Sequence, residues 1–229
     1  MSSKVKELQL AGPVNHAPSR GTLFVVSSPS GGGKGTIIRH VLDVVENLSY
    51  SVSFTTRAPR QTEVDGREYF FVNLETFHEM VAAGEFLESA CVHGNFYGTS
   101  KEQILSEIAA GADIILEVDV QGAASVRQLL MDSVSIFILP PSYEVLKERL
   151  IARGTDSPQQ LEVRLRNAPE ELKQYSAFDY VIINDEIDRA SAQLASIISA
   201  ERARCMRQEP LVREVIKEFK SSSIIDSLD

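Results

Sequence analysis

The stretch "SSPSGGGKGT", residues 27–36, gathers four glycines, three serines, a threonine and a single lysine. That mixture suits an anion. Glycines let successive backbone N–H groups approach phosphate oxygens closely and adopt positive φ. A lysine at the end of such a loop neutralises the β- and γ-phosphates of a nucleotide, and the start of a following helix adds partial positive charge. The expected phosphate ligands are therefore Ser30, Gly31, Gly32, Gly33, Lys34, Gly35 and Thr36. The stretch departs from G-x-x-x-x-G-K-[ST] twice, with Ser28 at the first glycine and Gly35 at the hydroxyl after the lysine. Pro29 can hold the turn after Ser28, and Thr36 is the expected substitute hydroxyl, meeting either Mg²⁺ or a phosphate.

Two further groups of residues carry chemistry. "SVSFTTRAPR" (51–60) is strand-like and ends in two arginines three apart, Arg57 and Arg60, with Pro59 holding the bend. Guanidinium binds phosphate through paired N–H donors, so the two form a candidate fork around a second phosphate. Residues 149–168, "RLIARGTDSPQQLEVRLRNA", are arginine-rich and mostly polar. In "DIILEVDV" (113–120), Glu117 and Asp119 stand at alternate positions. A single strand would place both on one face at its C-terminal end, where ligands sit in α/β sheets. The alternative for an acid at a strand end is a helix N-cap.

The elements that must position these groups alternate. "TLFVVS" (22–27) reads as a buried strand stopping at the glycine loop. A helical period follows through Ile37, Ile38, Val41, Leu42, Val45 and Leu48. The runs 113–120, 134–140 and 179–185 are further buried strands, each followed by a helical pattern at 121–131, 142–151 and 186–204. Such alternation predicts an α/β fold, a parallel sheet with helices on both faces. Residues 50–99 break the rhythm as a mixed insert with one short helix, whose own small core would be Phe70, Phe71, Phe77 and Phe86. Residues 1–20 read as a flexible leader and "KSSSIIDSLD" as a loose tail.

Composition bounds the rest. The 229 residues are 43% hydrophobic and 24% charged, enough for one medium domain with inserts. A formal charge of −9 argues against a nucleic-acid-coating surface while allowing a local cationic pocket. No apolar run approaches a membrane span, and the N-terminus lacks a secretion signal. Cys91 and Cys205 are far apart, in no metal or redox spacing, and read as reduced thiols of a cytoplasmic protein. His16, His40, His78 and His93 form no clustered pair.

Taken together, "SPSGGGKGT", "SVSFTTRAPR", "DGREYFFV", "FLESACVHGNFYGTS", "ILEVDVQGA", "IFILPPS", "RLIARGTDS" and "VIIND" resemble guanylate kinases of the bacterial type. The pieces follow that family's order and spacing from about residue 21 to 207. Adenylate-type kinases share the phosphate loop but would not carry the "TTRAPR…YGTS" insert. The resemblance implies a three-layer P-loop kinase fold with a central parallel sheet, a mixed α+β GMP-binding insert (about 55–99) and a helical lid (about 149–168). The chain would then divide into the leader 1–20, the kinase domain 21–207 and a C-terminal helix and tail 208–229.

It implies equally an ATP-dependent, reversible phosphorylation of GMP, and of dGMP, in purine nucleotide metabolism. ATP and Mg²⁺ would serve the reaction without nucleic-acid or membrane partners, and homo-oligomer formation is compatible with the sequence. Ser53, Arg57, Arg60, Tyr69, Tyr97, Thr99 and Asp119 would hold GMP. Glu88 would accept guanine's ring N–H and exocyclic amine, a donor pair that adenine lacks. Glu117 would be tied to Mg²⁺ through water; Lys34, Arg149, Arg153 and Arg164 would meet the triphosphate. Arg166, two residues from Arg164, faces elsewhere on its helix, and Asn184 and Asp185 would lie near the adenine of ATP. Guanylate-kinase-like domains also serve as protein-interaction scaffolds, but those degrade the phosphate loop and lid that are intact here.

Overall fold

A computed structural model describes residues 20–61, 63–92, 94–154 and 157–221; residues 1–19 of the expected leader, with His16, and His93 and the residues beyond 221 lie outside the described residues. Strand β1 (Leu23–Ser27) is buried on both faces, which explains its unbroken apolar run. It sits at the centre of a five-stranded parallel sheet ordered β2 (Leu48–Tyr50), β7 (Asp113–Glu117), β1, β8 (Val134–Leu139), β9 (Tyr180–Ile183). Phe24 and Val26 point to one side, where α1 (Lys34–Val44) and α7 (Ile187–Arg202) supply Ile37, Val41, Leu194 and Ile198. Leu23 and Val25 point to the other, against Ile104 and Ile108 of α3 (Lys101–Ala109) and Ala123 and Val126 of α4 (Val120–Leu129). The α/β architecture with a layer of helices on each face is thus the one expected.

Two boundaries differ from expectation. The first helix was expected to run through Leu48, but it ends at Val44 and Leu48 opens β2. Asn47 adopts φ 56°, a left-handed conformation that a helix cannot continue through and that asparagine tolerates. Strand β7 stops at Glu117, so Asp119 does not share its face. Asp119 is instead the N-cap of α4, its carboxylate accepting the Gly122 N–H at 2.7 Å. The helix start needs an acceptor for its unpaired donors, and that need wins over strand continuation.

The insert is a second, four-stranded sheet ordered β4 (Phe70–Phe71), β3 (Phe54–Thr55), β6 (Asn95–Ser100), β5 (Phe86–Val92), with α2 (Leu74–Ala82) alongside. Its core is aromatic: Phe54 stacks on Phe70 and Phe77 on Phe86, each at 4.8 Å between centroids. Phe71 was expected in this core, but it faces away, against Tyr69 and the Arg57 guanidinium. Neighbouring residues of a strand alternate faces, so Phe70 and Phe71 cannot both point inward. The arginine-rich segment forms α5 (Tyr143–Arg153) and α6 (Pro158–Leu172), packed through Leu146, Leu150 and Ala168. A capping box between Ser157 and Gln160, with Pro158 at the first helical position, starts α6.

A last helix, α8 (Cys205–Ser221), follows α7. The α7 end is fastened by Asp113: one carboxylate oxygen accepts Thr22 N–H at 2.6 Å and the other binds Arg202 Nε at 2.7 Å. Asp113 is almost wholly buried, so its removal would leave the Thr22 amide without an acceptor, while Arg202 would keep the Glu46 and Asn47 carbonyls. Asp113→Ala should lower unfolding free energy by about 2 kcal/mol, read from urea denaturation.

Candidate active site

Between β1 and α1 the chain makes the glycine loop, and its backbone explains the residue types. Gly31 and Gly33 both have φ 88°, and Gly33 is the N-cap of α1. A Cβ on Gly33 would stand 2.3 Å from Asn184 Nδ2, so the position excludes any side chain on space as well as on conformation. Asn184 is buried and donates from Nδ2 to Gly32 O at 2.9 Å, clamping the loop from below. Its own carbonyl accepts Arg149 Nη2 at 2.9 Å. Arg149 Nη1 and Asn184 Oδ1 are both buried without a hydrogen-bond partner, and both residues line the cleft over the loop.

That cleft has a volume of about 1020 Å³ and brings together Gly31–Thr36, Glu117, Arg149 and Arg153. Lys34 Nζ lies 3.6 Å from Glu117 Oε1, and the Tyr50 hydroxyl donates to Glu117 Oε2 at 3.3 Å. Gly35 does not need its missing side chain on steric grounds: a Cβ there would stand 3.4 Å from Glu117, an ordinary contact. The Thr36 side chain opens to the same cleft. Arg164, from α6, donates to Ser30 Oγ, and Glu171 of the same helix accepts Ser30 N–H at 3.2 Å. The arginine-bearing helix therefore rests on the phosphate loop. Arg166 is exposed, and Asp185 pairs with Arg189 on α7.

On the insert side, Thr99 is fully buried and donates from its hydroxyl to Glu88 Oε1 at 2.6 Å, with Ser53 Oγ 3.5 Å from Thr99 Oγ1. Burial pushes the Glu88 carboxyl above the usual carboxylate range; the Thr99 hydroxyl opposes the shift and the Asp119 charge adds to it. Glu88 and Asp119 meet across Gly122, whose missing Cβ would lie 3.2 Å from Glu88 Oε2 and 3.3 Å from Asp119 Oδ1.

Tyr69 joins the two halves: it lines the cleft, packs edge-on against Tyr97 at 5.8 Å, and lies under the Arg57 guanidinium at 5.4 Å. Burial holds its phenol above the ordinary tyrosine pKa, with the Tyr97 charge adding to the effect, so the hydroxyl stays a donor. Arg57 and Arg60 are not a bare fork. Arg57 is bound by Glu63, and the Arg60 side chain is 76% exposed.

Sequence reasoning missed Glu63, Tyr50 and Glu171. Only Glu63 left a local trace, as the acid closing "TRAPRQTE". Among the described residues no three His, Cys, Asp or Glu gather to hold a metal ion, and no helix is long and apolar enough to cross a membrane. Cys91 and Cys205 are exposed and unpaired in any disulfide.

Comparison with known proteins decides the family. The guanylate kinase family model matches residues 20–201. The chain belongs to the guanylate kinase family. It is 49% identical over 197 residues to the guanylate kinase of Nitrosomonas europaea, covering 86% of this chain and 98% of the relative. Identity to the guanylate kinase of Symbiobacterium thermophilum is 47% over 199 residues, covering 87% and 94%. The crystal structure of guanylate kinase from Anaplasma phagocytophilum matches with a TM-score of 0.67 at 36% identity, covering 83% of this chain and 90% of that one. Membership brings the enzyme class with it: a nucleoside monophosphate kinase, a phosphotransferase on the P-loop kinase fold.

The Glu88 carboxylate is only half-buried by its surface, yet its surroundings still withdraw it from water enough to couple folding to pH. Its raised pKa means that the folded protein holds the proton more tightly than the unfolded chain. Ionised Glu88 therefore destabilises the fold at neutral pH, and the penalty disappears as pH falls below the ordinary carboxylate value. Glu88→Gln, without ligand, should melt above wild type at pH 7, and the gap should close towards pH about 4. Differential scanning calorimetry across that range checks it.

Proposed function

We propose that this enzyme reversibly transfers the γ-phosphoryl group of ATP to a phosphate oxygen of GMP, or of dGMP, giving ADP and GDP or dGDP. The observation that carries this reading is Glu88, a half-buried carboxylate fixed by the Thr99 hydroxyl, which Ser53 approaches in turn, within the same fold as a phosphate loop. A carboxylate offers acceptors on both oxygens, so it can meet guanine's adjacent ring N–H and amine while one oxygen also holds Thr99. Adenine would leave those acceptors unpaired once the base covers the half-buried carboxylate, which is a strong basis for rejection. Asp119, on the far side of Gly122, is a second acceptor beside the base.

The phosphate of GMP is already an anion at neutral pH, so the acceptor needs no strong base. Catalysis then rests on alignment and charge neutralisation. Arg57 and Arg60 hold the acceptor phosphate in line, and Tyr69, Tyr97 and Ser53 complete the hold on GMP. The backbone from Ser30 to Thr36 cradles the donor phosphates, and Lys34, Arg149, Arg153 and Arg164 offset charge on the transferring group. Arg149 suits that task, because it already offers a buried Nη1 donor without a partner.

The oxygen set of Thr36 and Glu117 suits Mg²⁺, which keeps several waters and takes only one or two protein carboxylates. Thr36 and Glu117, the latter through water, would hold it, and the ion would supply charge to the β- and γ-phosphate oxygens. The insert and the α5–α6 lid closing over both substrates would exclude water and suppress ATP hydrolysis.

A coupled assay of ADP release with GMP, dGMP, AMP, CMP and UMP tests the reading. Turnover with GMP and dGMP alone is expected, and comparable rates with AMP would end it. Lys34→Ala should cut turnover by roughly 10²–10³-fold with unchanged circular dichroism. Glu88→Gln should raise the KM for GMP more than the KM for ATP; equal changes would remove the base-reading role.

A further inference from the structure

The acceptor arginines depend on an acid that none of the roles above includes. Arg57 Nη2 donates to Glu63 Oε1 at 2.8 Å and to Oε2 at 2.9 Å, while Nη1 donates to Ala58 O at 2.8 Å. A guanidinium has five N–H groups, so these bonds fix its plane and leave donors over for an anion. Its face lies on Tyr69 and Phe71, at 5.4 and 5.9 Å. Glu63 also closes the turn that carries the second arginine. Oε2 accepts the Arg60 N–H at 2.8 Å, and Glu63 N–H donates back to Arg60 O at 3.0 Å. Arg60 Nη1 stands 4.0 Å from Glu63 Oε1.

The pair is not a solvated surface contact, because the side chains of Arg57 and Glu63 are only 16% and 11% exposed. A long cation this enclosed would wander or withdraw without a fixed counter-charge. Hydrogen bonding from Arg57 holds the Glu63 carboxyl below the usual carboxylate range, so the anchor stays charged at neutral pH. Two cations and one anion leave the turn net positive, as a phosphate site requires.

We propose that Glu63 is a positioning residue for substrate binding: it holds the Arg57 guanidinium and the Arg60 turn in the arrangement that receives the phosphate of the nucleoside monophosphate. This rests on the function proposed above and adds a residue to it. Glu63 does not touch the reacting atoms. Its effect is confined to the phosphate half of the acceptor, leaving base recognition by Glu88 untouched.

The test compares the full chain with Glu63→Gln and Glu63→Asp, measuring kcat, KM for GMP and ATP, and inhibition by guanosine, which presents the base without a phosphate. Glu63→Gln should raise the KM for GMP about 10-fold, the scale of one charge-assisted hydrogen bond. The KM for ATP and the guanosine inhibition constant should stay at wild-type values. Glu63→Asp, which keeps the charge, should recover part of the loss. Equal weakening of GMP and guanosine would mean that the insert has collapsed as a whole, and overturns the proposal. So does an unchanged KM for GMP, or a lower one, which would make Glu63 a competitor of the phosphate. Wild-type protein that failed to phosphorylate GMP would overturn the parent function and the Glu63 role with it, a result read without any variant.

Discussion

The amide of Asn184 occupies the space where a side chain on residue 33 would begin, and much of the donor site follows from that contact. Asn184 follows β9, at one edge of the sheet, and the glycine loop follows β1 at its centre. The hydrogen bond from Nδ2 to Gly32 O ties the two together, and the Asn184 carbonyl then holds Arg149 against the same loop. Gly33 is consequently required twice, once for its left-handed φ and once for the amide that fills its missing Cβ. A flexible loop is thereby held rigid without placing any side chain where phosphate oxygens would go. Such preorganisation lets electrostatic stabilisation operate without reorganisation at the moment of reaction.

A second regularity is that three of the donors described above are each paired with an acid of the protein, whereas Arg149 Nη1 has none. Lys34 faces Glu117, Arg57 faces Glu63, and the Ser30 amide faces Glu171. This reconciles an acidic chain, with a formal charge of −9, with a site for polyanions. Local cations matter at contact distance, whereas net charge is screened beyond about a Debye length. The three acids have different positions: Glu117 ends a core strand, Glu63 sits in the insert and Glu171 lies on α6. The central sheet, the insert and α6 therefore each carry a counter-charge of their own.

How much of this was legible in the sequence depended on range. The glycine loop, Lys34 and the alternating core strands could be read because a few consecutive residues carry each signal. Family resemblance extended that reach to Glu88, Thr99 and the lid arginines, which no local pattern singles out. Asp119 was assigned to a strand face because apolar alternation runs on past Glu117, while the capping bond to Gly122 belongs to the next element. Leu48, the first residue of β2, reads as the last of the helical period because its spacing from Val45 fits, and the break before it rests on one left-handed asparagine. The contacts of Ser30 with Glu171, and of Gly32 with Asn184, join residues distant along the chain and close only in the fold.

The central place of β1 has a consequence for biosynthesis. Leu23 pairs with Ile114 and Phe24 with Val134, partners that leave the ribosome about a hundred residues later. Until then a strand apolar on both faces has neither neighbour, and its backbone edges are open. The parallel sheet cannot form progressively from the N-terminus; it must wait for β7 and β8 and then close around the first strand. A topology so dominated by distant pairings folds slowly and leaves the nascent chain exposed to association with other chains. The strand that carries the phosphate loop is thus the first core strand made and among the last to be sheltered.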